Sequence, residues 1–434
     1  METSDGTINR WLHISHPIAI TCAALLLALL TAGTGYRIYR QYAQPELTEF
    51  DWSKRGFSDF NNGVYLPTQA FLAGVNPFAQ EAVEQFTLAR ACPPYSPVTF
   101  MVHTPFTWFS ARTAGVVYFF YNILLALLMA YCGIRMSGGK FAWFGLLALG
   151  SLILFSRPGH INIFTGYFTA ELVLGTLVAL HFAKSKPIVS GFGMVLASSK
   201  PTYILPLAIM MMWRKNYRAT IFGCFLCGVF AFGGLAWLAH HSSFDDVITG
   251  IAHGQDAHID DVTEHPINTW TRIDLLGMFA KVINWNPDTK INILAMFFLT
   301  IVPGLAVAKA VKSESNSGAC GLTGWIVCLS MLVCLYHHSY DCLLLVAPWI
   351  GVTFFGSRTL PEIGRWARIA LSVLTAVPAA NYLSTQSARD KLGFEQLDFA
   401  WQSITMINGG CLIVALGILM YYAFTLRPSS DSNS

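Results

Sequence analysis

Charge is what this sequence has least of. Only 12% of its 434 residues are Asp, Glu, Lys or Arg, against roughly 25% in soluble domains. So few charges leave too little polar surface to cover a water-soluble globule. The net charge of +3 comes without a concentrated basic stripe, which excludes the electrostatic footprint of a nucleic-acid binder. A disulfide framework is missing too. Nine of the ten cysteines lie in or beside apolar runs, and Cys92 alone falls in a long polar loop. Cys224 and Cys227 form a CxxC, but the segment reads CFLC inside an apolar run. It has no polar partners for redox or zinc chemistry, so packing is its role. No HExxH-type metal spacing, low-complexity tract or internal repeat is present. No cleavable signal is expected at the N-terminus, a signal peptide being the alternative reading. The first apolar run ends in Thr34-Gly35-Tyr36-Arg37 with Arg10 as its only upstream basic residue, so it reads as a retained first helix.

What is there is apolar: 54% of the chain is hydrophobic. A spanning helix needs about 20 such residues. Runs of that kind occupy 17–36, 112–134, 160–183, 219–240, 290–309, 319–336, 366–384 and 404–426, with shorter ones at 141–156 and 340–357. The stretch 187–213 reads as one long helix or as two short ones folded back at Ser198-Ser199-Lys200-Pro201. Loop charge decides between these. With a cytoplasmic N-terminus and the hairpin, the cytoplasmic loops hold Arg135 and Lys140; Lys184 and Lys186; Arg214, Lys215 and Arg218; Lys309 and Lys312; Arg358, Arg365 and Arg368; and Arg427. A single span would put the later clusters outside, against the positive-inside rule. The expectation is an all-α polytopic membrane protein, one integral domain over 1–434. It has twelve crossings, two of them short, and both termini are cytoplasmic.

Three substantial outer loops follow: 37–111, 241–289 and 385–403. Loops longer than about 15 residues are usually functional or disordered, and these are not low-complexity. Within the first, Thr68–Ala73 and Val98–Ser110 are short and apolar, which suits helices lying along the membrane surface.

Several residues in these loops can carry chemistry. Asp59, in Phe57-Ser58-Asp59-Phe60, is a carboxylate among aromatics beside a bilayer. Such a setting raises its proton affinity and suits a general base. The competing reading is a helix N-cap for the segment starting at Phe60. Asp51 reads as a solvated loop acid. Arg157, His160 and Asn162, at the outer end of a span, can contact an anionic head group or anchor at the interface. Lys200 at the hairpin turn is a costly charge in or near the apolar layer and suits a phosphate, or snorkels to the interface. His337, His338 and Asp341 occupy a short outer turn that can bind a phosphate, a hydroxyl or a metal, or be a satisfied turn. The cluster His253, Asp256, His258, Asp260, Asp261, Glu264 and His265 reads as a solvated loop, with a divalent-metal site as the alternative.

In order along the chain, these pieces resemble glycosyltransferase family 87. Asp59 with Tyr65, Gly74-x-Asn76-Pro77-aromatic, and Tyr95-x-Pro97 before Pro105 match the first loop of that family. Gly159-His160-Ile161-Asn162 stands where the family commonly has Gly-Gln-x-Asn. Lys200-Pro201 in a helical hairpin and a late His-containing outer turn match as well. The resemblance covers roughly residues 10–420 and implies a GT-C-class membrane glycosyltransferase. It implies a hexose, mannose in the best-known members, moved from a polyprenyl-phosphate donor to a glycan or glycolipid acceptor at the outer face. Asp59 would be the base of one inverting displacement. Lys200, Arg157 and His337 or His338 would stabilise the leaving phosphate. Tyr65, Tyr95 and Trp270 are candidates to stack on sugars, and Asn76, His160, Asn162 and Asp341 complete the substrate-binding set. No cofactor is implied; a divalent metal is not indicated.

Two rivals are distinguishable. A secondary transporter or flippase for lipid-linked glycans predicts mid-membrane charges and a repeat, whereas the polar residues here gather on one face. An O-antigen-ligase-like enzyme predicts several arginines in a large late loop, and 385–403 holds only Arg389. A bacterial plasma membrane is the expected location, since no endoplasmic-reticulum retention tail is seen.

Overall fold

The computed structural model describes residues 11–42, 56–259, 265–314, 316 and 318–426. Asp51, Asp260, Asp261, Glu264 and Arg427 fall outside them. Helices are the dominant structure of the described residues, and their only β pairing is one isolated bridge, between Arg272 and His338. Six helices are long and apolar enough to cross a membrane: α1 (Pro17–Tyr42), α5 (Ala111–Met136), α11 (Tyr217–His241), α14 (Thr289–Ala310), the run Ser339–Thr359 and α19 (Phe399–Thr425). The protein is therefore a polytopic membrane protein. A seventh crossing is reached if two helices joined by a 74° bend, α6 (Trp143–Phe155) and α7 (Arg157–Thr165), count as one span. Twelve is reached only by adding shorter helices: α8 (Thr169–Phe182), α9 (Pro187–Ala197), α10 (Pro201–Trp213), α15 (Leu322–Cys334) and α17 (Arg365–Ala380). A 13-residue helix such as α15 is about 20 Å long at 1.5 Å per residue, short of the ~30 Å hydrocarbon layer. Every residue of α15 is buried. It packs among α10, α14 and α19, so protein rather than lipid surrounds it.

One expected span needs correction. The run 160–183 is not a continuous helix. Ser156 caps α7 by accepting from the Gly159 amide at 3.2 Å, which starts the helix before His160. Gly166 then ends it in the left-handed region (φ 72°), with its amide bonded to the Asn162 carbonyl. A side chain there would also collide: a Cβ would lie 2.6 Å from Phe60 Cβ and 2.7 Å from Phe57 Cδ1. Glycine supplies both the backbone sign and the space.

The stretch 187–213 does break where the sequence signals it. α9 stops at Ala197 and α10 starts at Pro201. Proline at the first helical position lacks only an N–H that would be orphaned anyway. It holds the preceding Lys200 in extended geometry (φ −123°, ψ 117°).

The long segments between spanning helices fold as short helices: a π-helix at Phe60–Tyr65, α2 (Leu66–Leu72), α3 (Gln80–Phe86), α4 (Val98–His103), and, in the second of them, α12 (Phe244–Ile259) and α13 (Leu275–Ile283). The main core gathers residues from α5, α7, α8, α10, α15 and α16 (Val346–Thr359), together with Phe57, Phe60 and Tyr65. The Asp59 segment is thus seated on the helical core.

Candidate functional site

Lys200 is the hub of the site. Its side chain is buried, and Nζ lies 3.3 Å from Asp341 Oδ2. Three tyrosine rings surround the ammonium: Tyr167 and Tyr340 at 5.5 Å and Tyr203 at 5.8 Å. Those are cation–π distances. Tyr203 sits one helical turn after Lys200 and donates to Asp341 Oδ1 at 2.9 Å. The His338 amide donates to Asp341 Oδ2 at 3.0 Å. This closes a reciprocal cap at the start of the 3₁₀ turn Ser339–Leu345.

The two adjacent histidines differ sharply. His338 is fully used: Nδ1 lies 2.5 Å from Thr271 Oγ1, Nε2 lies 2.6 Å from the Tyr336 hydroxyl, and the ring stacks on Tyr340. His337 is completely buried, and neither ring nitrogen has a hydrogen-bond partner among the described residues. Burial drives its pKa down to about 4; Asp341 and Asp274 pull upward, Lys200 and Arg272 downward. The imidazole is neutral at pH 7, a donor and acceptor rather than a cation. An unmet buried donor is costly, and such groups gather where a ligand or water completes them.

The segment 265–289 covers this pair. The Ile273 amide donates to the His337 carbonyl at 3.1 Å, and the Ser339 amide to the Thr271 carbonyl at 2.6 Å. These bonds frame the Arg272–His338 bridge. Arg272 forms a two-pronged pair with Asp274, at 2.8 and 2.7 Å. Burial works against the Asp274 carboxylate, but Arg272 and the Gly277 amide outweigh it and hold its pKa below the ordinary value.

Beyond Arg272 the string of charge continues. Lys281 on α13 donates to Thr405 Oγ1 of α19 at 2.9 Å. Burial, with Arg272 and Arg157 nearby, lowers its pKa to about 7. Arg157 is fully buried, and one guanidinium nitrogen donates to the Ser384 carbonyl at 2.9 Å. Its Nε and Nη1 have no partner among the described residues. Lys200 and Arg272 each have a carboxylate; Arg157 and Lys281 have no salt-bridged carboxylate among the described residues.

Asp59 approaches from the other side. It occupies the residue before the π-helix in helical geometry (φ −73°, ψ −33°) and makes no side-chain cap. The N-cap reading therefore fails. Asp59 is half-buried, and its charge, after the dominant effect of burial, helps raise the pKa of the Tyr95 phenol. The Tyr95 and Tyr167 hydroxyls lie 3.0 Å apart, and Tyr167 faces Lys200. Two tyrosines thus link the Asp59 segment to Lys200.

Other expected site residues lie apart from this cluster. Tyr65 donates to the Phe109 carbonyl at 2.8 Å. Asn76 receives the Phe78 amide and donates to the Asp246 carbonyl, both at 3.2 Å. It lines a separate cavity of about 560 Å³ with His241, Asp246 and His253. His160 meets Arg37 at 3.0 Å, and Asn162 donates to Asn122 at 3.2 Å. Trp270 is half-buried. Sequence reasoning missed Tyr203, Arg272, Asp274 and Lys281. Asp274 had a readable signal, since it precedes an apolar helix and caps it through Gly277. Among the described residues, no group of three or more His, Cys, Asp or Glu side chains is placed to hold a metal ion.

The chain matches the sequence model of glycosyltransferase family 87 over residues 94–335. This is more than half its length, and the chain belongs to that family. The matched stretch includes Tyr95, Arg157, His160, Asn162 and Lys200; Asp59 precedes it, and His337, His338 and Asp341 follow it. No curated protein and no solved structure matches the chain.

Proposed function

We propose that this glycosyltransferase moves a hexose, mannose in the first instance, from a polyprenyl-phosphate donor to an acceptor hydroxyl at the outer face of a plasma membrane. The fold would be of the GT-C class, with 1–434 as one integral domain and 37–111 as its catalytic loop. The observation that carries this reading is the path from Lys200 over the Tyr167 ring to Tyr95, whose hydroxyl meets that of Tyr167 and whose phenol feels the charge of Asp59. A half-buried carboxylate and a buried cation on one connected cluster match the needs of a single displacement. Asp59 takes the proton of the acceptor hydroxyl as its oxygen attacks the anomeric carbon. The bond to the phosphate oxygen breaks on the opposite face, giving an inverted product and a polyprenyl phosphate. Lys200, presented at the start of α10, stabilises the charge that develops on that phosphate. The buried imidazole of His337 supplies a hydrogen bond to it. Arg157 adds positive charge further along the same string.

The test is transfer from radiolabelled polyprenyl-phosphate mannose by the parent and by Asp59→Asn, each reconstituted in nanodiscs. General-base loss predicts a drop of about 10²–10⁴-fold with an unchanged melting temperature. Equal transfer by both proteins removes Asp59 from the mechanism. No transfer by the parent from any lipid-phosphate sugar removes the donor assignment.

A further inference from the structure

Arg157 and Lys281 share one polar corner of the bundle. Arg157 donates to the Ser384 carbonyl at 2.9 Å, and the Ser384 hydroxyl receives Asn408 Nδ2 at 3.2 Å. Asn408 stands three residues after Thr405 on α19, a spacing that puts both on one helix face about 5–6 Å apart. Lys281 donates to the Thr405 hydroxyl at 2.9 Å. The two cations thus sit at the ends of one short chain of contacts and feel each other: after burial and Arg272, Arg157 helps to lower the pKa of Lys281. The oxygens of that chain are already engaged. The Ser384 hydroxyl donates to the Asn381 carbonyl at 3.0 Å, the Thr405 hydroxyl to the Gln402 carbonyl at 2.8 Å, and Asn408 Oδ1 accepts from Asn381 at 2.9 Å. Asp274, the carboxylate nearest in charge to Lys281, is bonded through both oxygens to Arg272 and also receives the Gly277 amide. Two positive charges therefore stand without a salt-bridged carboxylate among the described residues, and Arg157 Nε and Nη1 have no partner there. A water molecule would meet those N–H groups and leave the charge uncompensated, which is costly in a buried place.

We propose that Arg157 and Lys281 together bind a small monovalent inorganic anion, a halide such as chloride. The site is separate from Lys200, which has Asp341 as its counter-charge. A halide accepts N–H groups from any direction, so it suits donors presented by two different helices, the guanidinium from α7 and the ammonium from α13. An ammonium carries three N–H groups, and Thr405 takes one of those on Lys281. Arg157 is completely buried, which favours an ion of one atom over a phosphate joined to a lipid chain. Lys281 is part-exposed and gives the ion its way in. One bound halide offsets one of the two charges and ties α7 to α13. The pair keeps a net positive charge, so the site is compatible with a phosphate at Lys200.

The test uses the full chain in detergent, purified in gluconate salts, and equilibrium dialysis with radiolabelled chloride. Saturable binding of one ion per chain is expected, with bromide competing well and sulfate poorly. That anion series needs no variant. Arg157→Met and Lys281→Met should each weaken chloride binding about tenfold or more, the loss of a charged hydrogen bond. In a second arm, chloride replaces gluconate at constant ionic strength. The parent should gain about 2–4 degrees in melting temperature, and Arg157→Met should not respond. In gluconate, Arg157→Met should melt at or above the parent, which shows that it folds. Asp59→Asn should bind chloride as the parent does, so the result stands whatever becomes of the proposed transfer reaction. Absence of saturable binding overturns the proposal. Equal binding by the parent and both variants places the ion elsewhere and overturns it as well. Sulfate competing as strongly as bromide reduces the effect to general attraction of anions and does the same. Displacement of chloride by polyprenyl phosphate assigns the two cations to the donor and overturns the halide assignment.

Discussion

Lys200 Nζ and Asp341 Oδ2 lie 3.3 Å apart with both side chains buried. This single pair ties the break between α9 and α10 to the 3₁₀ turn Ser339–Leu345 across 141 residues of sequence. Removing one partner of such a pair leaves an uncompensated buried charge, at a cost of about 3–5 kcal/mol. Lys200→Met is therefore expected to lose several degrees in thermal unfolding of the detergent-solubilised protein. The double variant Lys200→Met with Asp341→Asn should regain much of that loss, because both charges are gone. Transfer should stay low in both proteins if the lysine acts on phosphate. Recovery of transfer by the double variant would reduce Lys200 to a structural role.

The neighbouring histidines separate stability from chemistry. His338 holds Thr271 and Tyr336, so His338→Ala should cost about 2 kcal/mol from two lost hydrogen bonds. It should also loosen the segment that carries Thr271 and Arg272. His337 makes no such bonds among the described residues. His337→Asn should disturb unfolding less than His338→Ala and lower transfer more. Melting curves and initial rates on the same preparations decide this. The reverse ranking would identify His338 as the functional member.

The pH dependence of these residues has a definite sign. His337 is held at about 4 in the fold against 6.5 unfolded. A depressed histidine contributes stability that is complete above the unfolded value and fades as pH falls from 6.5 towards 4. That difference corresponds to about 3 kcal/mol. His337→Phe should flatten the acid side of the stability profile across that window. His103, on α4 and outside the spanning helices, runs the other way. Nδ1 lies 2.6 Å from the Thr99 carbonyl and Nε2 3.1 Å from Glu171 Oε1. Both acceptors call for an N–H on both ring nitrogens, which is the imidazolium form. Burial opposes it, but Glu171 prevails and raises the pKa. Its contribution is full below the unfolded value and is lost as pH rises through the folded one. His103→Leu leaves the Glu171 carboxylate buried without its cation and should cost about 3–5 kcal/mol. Unfolding measured between mildly acid and mildly alkaline pH tests both signs at once.

Local chemistry was what the sequence could express. The apolar runs marked the long helices, and the Ser198-Ser199-Lys200-Pro201 segment marked a break, because proline and polar residues act within a turn of where they stand. Lys200, His337 and Asp341 were recognisable one by one as charges or ring nitrogens near lipid. The pairing of Lys200 with Asp341 was not, since it is fixed by packing across distant segments. The choice between His337 and His338 depends on Thr271, 67 residues away, through a bridge that no periodicity announces. The break at Gly166 was missed because glycine inside an apolar run is also common in membrane helices. Its need here comes from Phe57 and Phe60, which pack against it from another loop. Lys281 sits on a short helix whose apolar pattern was legible, but its cationic neighbours Arg157 and Arg272 come from other elements.

Arg157 offers the sharpest division between what the fold needs and what the reaction needs. The guanidinium is completely buried, is bonded through one nitrogen to the Ser384 carbonyl, and has no salt-bridged carboxylate among the described residues. Two of its nitrogens are unmet there. A buried charge in that state destabilises the protein that carries it, because its desolvation is not repaid. Replacing it by an apolar side chain of similar length should therefore be neutral or stabilising. Arg157→Met is expected to melt at or above the parent temperature. If the unmet donors await a phosphate, the same variant should bind polyprenyl phosphate about 10- to 100-fold more weakly, the loss of one or two charged hydrogen bonds. Binding of polyprenyl phosphate and unfolding, measured on one preparation, read the two effects separately. A variant that is less stable yet binds as tightly as the parent would make Arg157 a structural tie to Ser384. A more stable variant with weakened binding would mark a charge retained for its ligand at the expense of the fold.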